Sequence, residues 1–278
     1  MNRMRRLLEI EFYKIRYHAA SLRLLVSYFL LIPMLILLTT MEISFGGLSS
    51  TIGGLGVFEF PFIWHFGTYI SLYLKFILVI VVISSVTGEY SNLTLKQNLI
   101  DGLSKKEFLF SKVSMAVVLA LISLVISFFT FFYIGWENSS ELDWALIFSE
   151  LDYFLGYFIR LVGFLMFGIF TAVLLRRSAL ALGFMAIWWI VEGIINVSLT
   201  KLLGDTGSTI ASLLPLQSMG DVVDQPFQRI LFVQNASEQL GQKIDFIHGV
   251  HYLPMLQSVI WIGVFIYLSH QILRRRDL

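Results

Sequence analysis

The sequence predicts an all-α polytopic membrane protein: six transmembrane helices, an amino-terminal interfacial helix and a short cytoplasmic helix between spans two and three. Three observations carry that expectation. Of 278 residues, 57% are hydrophobic and 14% charged, where an average soluble domain is roughly 25% charged, and the mean hydropathy is +0.78. Six runs reach the length of about twenty mostly apolar residues that a helix needs to cross a bilayer. The loops between them alternate in lysine and arginine content, so an odd number of spans would break the pattern.

Residues 1–20 come first. In RRLLEIEFYKIRYHAA, the residues Met4, Leu8, Phe12, Ile15 and Ala19 fall on one helical stripe, with Arg5, Glu9 and Arg16 elsewhere around the axis. That pattern suits a helix lying in the membrane interface. A cytosolic extension of the first span is the alternative, and EIEF alone also fits a strand. The first apolar run follows some twenty mixed residues and has no small-residue cleavage site behind it, so a removable leader is not expected.

The spans read as Ser21–Thr40, Pro61–Val86, Lys112–Gly135, Phe154–Leu175, Ser178–Leu202 and Tyr252–Ile272. Only Arg176 and Arg177 separate the fourth from the fifth, giving a helical hairpin whose charged turn cannot lie in lipid. Orientation follows from the basic residues. Arg3, Arg5, Arg6, Lys14, Arg16, Arg23, Lys96, Lys105, Lys106, Lys112, the Arg176–Arg177 turn and Arg274–Arg276 all fall on one side. Opposite them stand only Lys201, Arg229 and Lys243, among Glu42, Glu59, Glu137, Glu141, Asp143, Glu150 and Asp152. The rule that cytoplasmic loops carry the positive charge puts both termini in the cytoplasm of a cytoplasmic (inner) membrane.

Residues 87–111 are longer than a turn between spans requires. Leu95 and Leu99 lie four apart, Leu93 and Ile100 seven apart, which gives the piece an apolar side with Lys96, Gln97, Asn98 and Asp101 around it. Gly102 is placed to end that helix. Ser104 and Glu107 form a capping box that opens the next one. A short helix, a glycine break and a capped restart result. Two roles fit equally: a helix resting on the membrane surface, or a rigid lever that a cytosolic protein pushes.

This segment resembles the cytoplasmic coupling region of type-2 permeases of ATP-binding-cassette (ABC) transporters. The residues that carry the resemblance are Glu89, Thr94, the apolar helix Leu95 to Ile100, Gly102, the pair Lys105–Lys106, Glu107, Phe108 and Lys112. Glu11, Phe12, Tyr13 and Lys14 are similar to that family's amino-terminal interfacial helix, and Arg276, Asp277 and Leu278 to its basic ending. The resemblance implies an ABC permease, exporting its substrate, that couples to a separate ABC ATPase subunit through Glu89, Thr94, Leu95, Lys96, Leu99, Ile100, Asp101, Lys105 and Glu107. It also implies two ATPase copies and a second permease half, either a homodimer or a related permease. The chain has no GxxxxGK[ST] phosphate loop, so ATP and Mg belong on the partner. No cofactor is expected in this chain, and no nucleic acid partner.

Lys75, Arg160 and Glu192 lie inside spans, where a central charge costs about 2.5 to 3.5 kcal/mol even on a lenient scale. Counting from the Arg176–Arg177 turn puts Arg160 and Glu192 both roughly 23 Å up neighbouring helices, which predicts an ion pair. Lys75 falls at nearly the same level, facing a wet cavity or snorkelling. A polar layer on the translocation path or at a dimer interface is the functional reading of the three. Trp64, His65, Tyr69 and Tyr73, near a span end, are read as interfacial belt residues rather than a stacking surface for substrate.

The stretch 203–251 is the least readable. Ile210 to Leu216 is apolar and contains Pro215, so it either dips into the membrane or caps the bundle. His248 and His251 lack a third ligand for a metal site. With no cysteine, disulfides and thiolate chemistry are excluded. Two other classes of function compete. A self-contained secondary transporter or channel would show internal repeats or several midplane acids, and Glu192 is the only acid inside the spans. An intramembrane enzyme would need a clustered nucleophile and base, yet neither GxSxG nor HExxH occurs.

Overall fold

The structure is a computed structural model that describes residues 2–45, 48–51, 56–140, 142–229 and 248–275. Six of its helical stretches are long and apolar enough to cross a membrane. The ending Arg276 to Leu278, Glu141, and residues 230–247 of the 203–251 stretch, Lys243 among them, lie outside the described residues.

Helix α1 (Asn2–Tyr17) stops where His18 caps α2 (Ala19–Met34), its ring Nδ1 accepting from the Ser21 amide. EIEF is therefore helical. Pro33 cannot donate to the α-helical ladder, and the chain passes directly into a 3-10 turn over Leu35–Thr40. A two-stranded antiparallel ribbon, β1 (Glu42–Phe45) and β2 (Leu48–Thr51), follows in a region without strand expectation.

The second span is two helices rather than one. α3 (Phe62–Ser71) and α4 (Lys75–Ser91) are joined by a 3-10 turn over Leu72–Leu74, the kind of tightened segment that marks hinges. After α5 (Thr94–Ile100), α6 (Lys105–Asn138) begins seven residues before the apolar run does. Its 34 residues make a rod of about 51 Å, longer than a hydrocarbon core of about 30 Å. A short turn of helix, α7 (Trp144–Ile147), leads into α8 (Asp152–Leu175) and its hairpin partner α9 (Ser178–Leu203). Then come α10 (Asp205–Ala211), α11 (Pro215–Gly220) and α12 (Tyr252–Arg275).

α8 is the central post, packed by α3, α4, α6, α9, α11 and α12. In a bilayer, where lipid is as apolar as leucine, close packing through small residues drives helix association. Gly168 lets α4 in so tightly that a Cβ there would meet Val79 Cγ2 at 2.5 Å. Gly163 receives Met219 of α11, and Gly156 receives Val223. Gly163 is eleven residues into α8, about 16 Å from its start, so α11 enters the bundle to that depth. The dipping alternative for the Ile210–Leu216 stretch is the one the fold adopts. Tyr28, Ser123 and Tyr157 join hydroxyls at a buried point linking α2, α6 and α8.

The aromatic expectation needs correcting. Trp64 and His65 are fully buried rather than set in a belt. Trp64 stacks on Phe128 with ring centroids 5.7 Å apart and donates to the Ile147 carbonyl at 2.7 Å; His65 stacks on Tyr153 at 4.3 Å. Tyr73 alone of the four is largely exposed. With Val57, Phe60 and Phe131 the buried rings make a second core at the end of the bundle away from α1.

Gly168→Ala should lower stability by about 1–3 kcal/mol, the usual cost of overpacking, because Val79 cannot swing aside. Gly183 is the control: a Cβ added there would meet nothing within 4 Å, and Gly183→Ala should melt at or above wild type. Thermal melting of detergent-solubilised protein checks both.

Candidate functional site

The link between α4 and α6 is built by short-range rules. α4 ends at Ser91, and Leu93 takes a left-handed φ of 56° that turns the chain into α5. Asp101 closes α5, and Gly102 at φ 94° supplies the conformation only glycine adopts without strain. The capping box then starts α6: Glu107 Oε2 accepts from the Ser104 amide at 2.9 Å, and the Glu107 amide donates to Ser104 Oγ at 3.2 Å.

What anchors this link is a buried cluster of charges. Lys112 Nζ lies 2.6 Å from Glu11 Oε2 and 2.7 Å from Glu89 Oε1. It also donates to Ser85 Oγ at 2.9 Å and to the Ser85 carbonyl at 3.1 Å. Lys14 reaches Glu89 at 2.7 Å and Glu11 at 3.3 Å. Asn98 of α5 donates to Glu89 Oε2 at 3.2 Å. Glu11, Glu89 and Lys112 are each under 5% exposed. Two carboxylates and two ammonium groups balance, so the cluster is neutral as a whole, the condition under which buried ions are tolerated. Burial works against the Lys14 charge, but the field of Glu11 and the bond to Glu89 outweigh it and hold its pKa above the ordinary lysine value of 10.5.

Four helices therefore meet at one point: α1, α4, α5 and α6. The expected apolar stripe of α1 is divided: Leu8 and Ile15 turn toward the bundle, and Phe12 and Ala19 are exposed. Leu8, Glu11 and Ile15 point inward, while Phe12, Tyr13 and Tyr17 are more than half exposed.

α5 is likewise rotated from the sequence expectation. Leu95 is buried and Leu99 half-buried, but Leu93 is 70% and Ile100 76% exposed. They share the outer surface with Thr94, Lys96 and Asp101. Lys105 and Glu107 are partly covered, at the start of α6. Between α1 and the α5–α6 link runs a groove of about 670 Å³ whose lining includes Arg6, Ile10, Lys14, Asn98 and Asp101. On the other flank, a groove of about 550 Å³ runs between α5 and the Arg176–Arg177 turn, with the Arg176 guanidinium 5.4 Å from the Tyr90 ring centre.

The intramembrane residues divide differently. Lys75 and Arg160 line one cavity of about 520 Å³. Glu192 does not pair with Arg160: it accepts from Trp188 Nε1 and from the backbone amides of Leu216 at 2.9 Å and Gln217 at 3.1 Å. Equal depth fixed only the height of the two groups. The azimuth of Glu192 is set by α11, whose free amides satisfy the carboxylate before any guanidinium reaches it.

A family model described as ABC-2 family transporter protein matches residues 6–278. The chain belongs to the ABC-2 transporter family. It is a multi-pass membrane protein and the permease subunit of an ABC transporter, and its family partners an ABC ATPase subunit rather than hydrolysing ATP itself. Among curated proteins no similar sequence is found. The family match spans the helices that meet at Lys112 as well as the bundle above them.

Sequence reasoning named Glu11, Lys14, Glu89 and Lys112 separately but did not bring them together. The signal was present: α6 starts at its cap, so Lys112 lies two turns inside the helix, and a cation there needs a counter-charge.

Lys112→Met should cost about 3–5 kcal/mol, because it leaves two buried carboxylates facing the one remaining cation. The double change Glu11→Gln with Lys112→Met should recover part of that loss in a double-mutant cycle read by SDS or thermal unfolding. Lys14→Met should cost less, since the Lys14 side chain is 37% exposed. Its contribution holds below 10.5, the ordinary value, as long as Glu11 and Glu89 are ionised, and fades as the pH rises through its elevated folded value.

Proposed function

We propose that this ABC-2 permease receives force from a cytosolic ABC ATPase on the exposed face of α5 and moves its substrate outward across the cytoplasmic membrane. The carrying observation is that Leu93 and Ile100 stand 70% and 76% exposed at the two ends of a helix whose opposite side is tied to α4 through the Asn98–Glu89 bond. Paired with Lys96 and Asp101, they make a small amphipathic knob at the basic end of the bundle. Contacts of this kind, an apolar anchor within a charged rim, carry most of the energy of protein interfaces.

The positive-inside rule puts that end in the cytoplasm, with ATP and Mg bound by the partner. Two ATPase copies call for two permease halves, supplied by a second copy of this chain or by a related permease. Export is the direction the resemblance implies. A push on α5 passes through Leu95 and the Asn98–Glu89 bond into α4, and through Lys112 into α6 and α1. The moving unit ends at the 3-10 turn over Leu72–Leu74, where α4 can swing relative to α3 and change the access to the Lys75 cavity.

Ile100→Asp and Leu93→Asp alter exposed positions and should leave the melting temperature of the permease within experimental error. Each should reduce co-purification of the ABC ATPase by about tenfold or more, the loss of a hot-spot contact. The reading is overturned if no ABC ATPase associates with the wild-type permease, or if both variants retain it in full.

A further inference from the structure

The cavity between α4, α8, α9 and α11 is lined by two basic side chains, Lys75 and Arg160, and among the described residues neither is in a salt bridge. Lys75 Nζ sits 4.4 Å from the Phe164 ring centre and 5.7 Å from that of Phe76, and the Arg160 guanidinium 5.6 Å from that of Tyr69. Arg160 Nη1 is buried without a hydrogen-bond partner. Among the described residues no carboxylate comes within 4.0 Å of either group. Asp221, near the same wall, acts on Arg160 through its field alone, its carboxylate accepting a hydrogen bond from Gln217 at 2.8 Å. Glu192 is committed to α11.

Aromatic faces attract cations but provide no acceptor lone pair, and a buried donor left unpaired is destabilising. The two cations repel one another as well. A single oxyanion between them answers all three conditions. Guanidinium offers a planar fork suited to phosphate or carboxylate, and ammonium a mobile point charge. The rest of the wall is apolar, including Val79, Met185 and Trp189. The rim opens between α4 and α9, where Phe76 is 54% and Trp189 70% exposed, on a surface that faces lipid or another membrane subunit.

We infer that this cavity binds an amphiphile bearing one oxyanion headgroup, phosphate or carboxylate, between Lys75 and Arg160, with its apolar body along α4 and α9. This rests on the permease reading and gives it a substrate class. The oxyanion gives both donors an acceptor and offsets their mutual repulsion, and the apolar walls favour a headgroup that brings a tail. The 3-10 turn directly before Lys75 puts one of the two ligands on the segment that α5 moves, so the hold on the headgroup changes when the coupling end is pushed.

The test is equilibrium binding to the purified full-length permease in neutral detergent, without ATP or ATPase. The probes are dioleoyl phosphatidate, oleate, dioleoylglycerol and inorganic phosphate. Phosphatidate and oleate should bind at least about tenfold tighter than dioleoylglycerol, a difference of one decade in Kd, and inorganic phosphate should not compete. Lys75→Met and Arg160→Gln should each erase that preference, with Arg160→Lys retaining part of it. Lys75→Met should also melt at or above the unliganded wild type, since it removes an unpaired intramembrane charge; this variant keeps the test decisive if Arg160→Gln fails to fold. Equal binding of dioleoylglycerol, competition by inorganic phosphate alone, or an unchanged preference in Lys75→Met would overturn the proposal. Failure here removes the substrate class and leaves ATPase capture intact, whereas failed capture removes the proposed coupling through α5 with this binding unaffected.

Discussion

Lys112 between Glu11 and Glu89 is the contact on which the lower half of the molecule depends. It sits where four helices converge, and its two carboxylate partners come from different ones, Glu11 from α1 and Glu89 from α4. Glu89 in turn holds Lys14 of α1 and Asn98 of α5. A purely apolar junction could slide, because dispersion contacts are non-directional and lipid competes for them. Charge-assisted hydrogen bonds fix distance and direction together, and breaking one leaves a charge where water is scarce. The cluster therefore ties four helices into one piece, with the exposed face of α5 as its outermost part.

Above that piece the bundle is organised around α8. Its glycines admit α4, α11 and the Val223 turn at distances that side chains would forbid. α11 is held from the other side by Glu192, so the re-entrant segment is pinned between α8 and α9. Pinning has a consequence for the polar layer. Glu192 is spent on backbone amides, and Lys75 and Arg160 line a largely apolar cavity without a salt bridge to either among the described residues. The rigid unit below and the charged cavity above meet at the short 3-10 turn preceding Lys75.

Much of the architecture was legible because it depends on local rules. Span number and alternation follow from apolar length and basic loops. The Gly102 break and the Ser104–Glu107 cap follow from backbone conformation and from amides that must be satisfied within one turn. The unread part depends on rotation about helix axes and on elements far away in sequence. Periodicity could put Leu93 and Ile100 on an apolar side, but the left-handed turn at Leu93 rotates α5 and brings them out to solvent. Trp64 and His65 have the composition of an interfacial belt, yet Ile147, Phe128 and Tyr153 close over them. Glu192 finds amides that the spans alone do not supply. In each case depth was readable and direction was not.

The central claim, that α1, α4, α5 and α6 move as one body, is open to distance measurement by double electron–electron resonance. The chain contains no cysteine, so introduced pairs are labelled uniquely. Labels at Arg5 on α1 and Lys96 on α5 report within the body, and labels at Lys96 and Leu180 report between it and α9. In the complex with its ATPase partner, the first distance should stay narrow and constant through ATP binding and hydrolysis while the second changes. A first distance that shifts or broadens as much as the second would contradict the account.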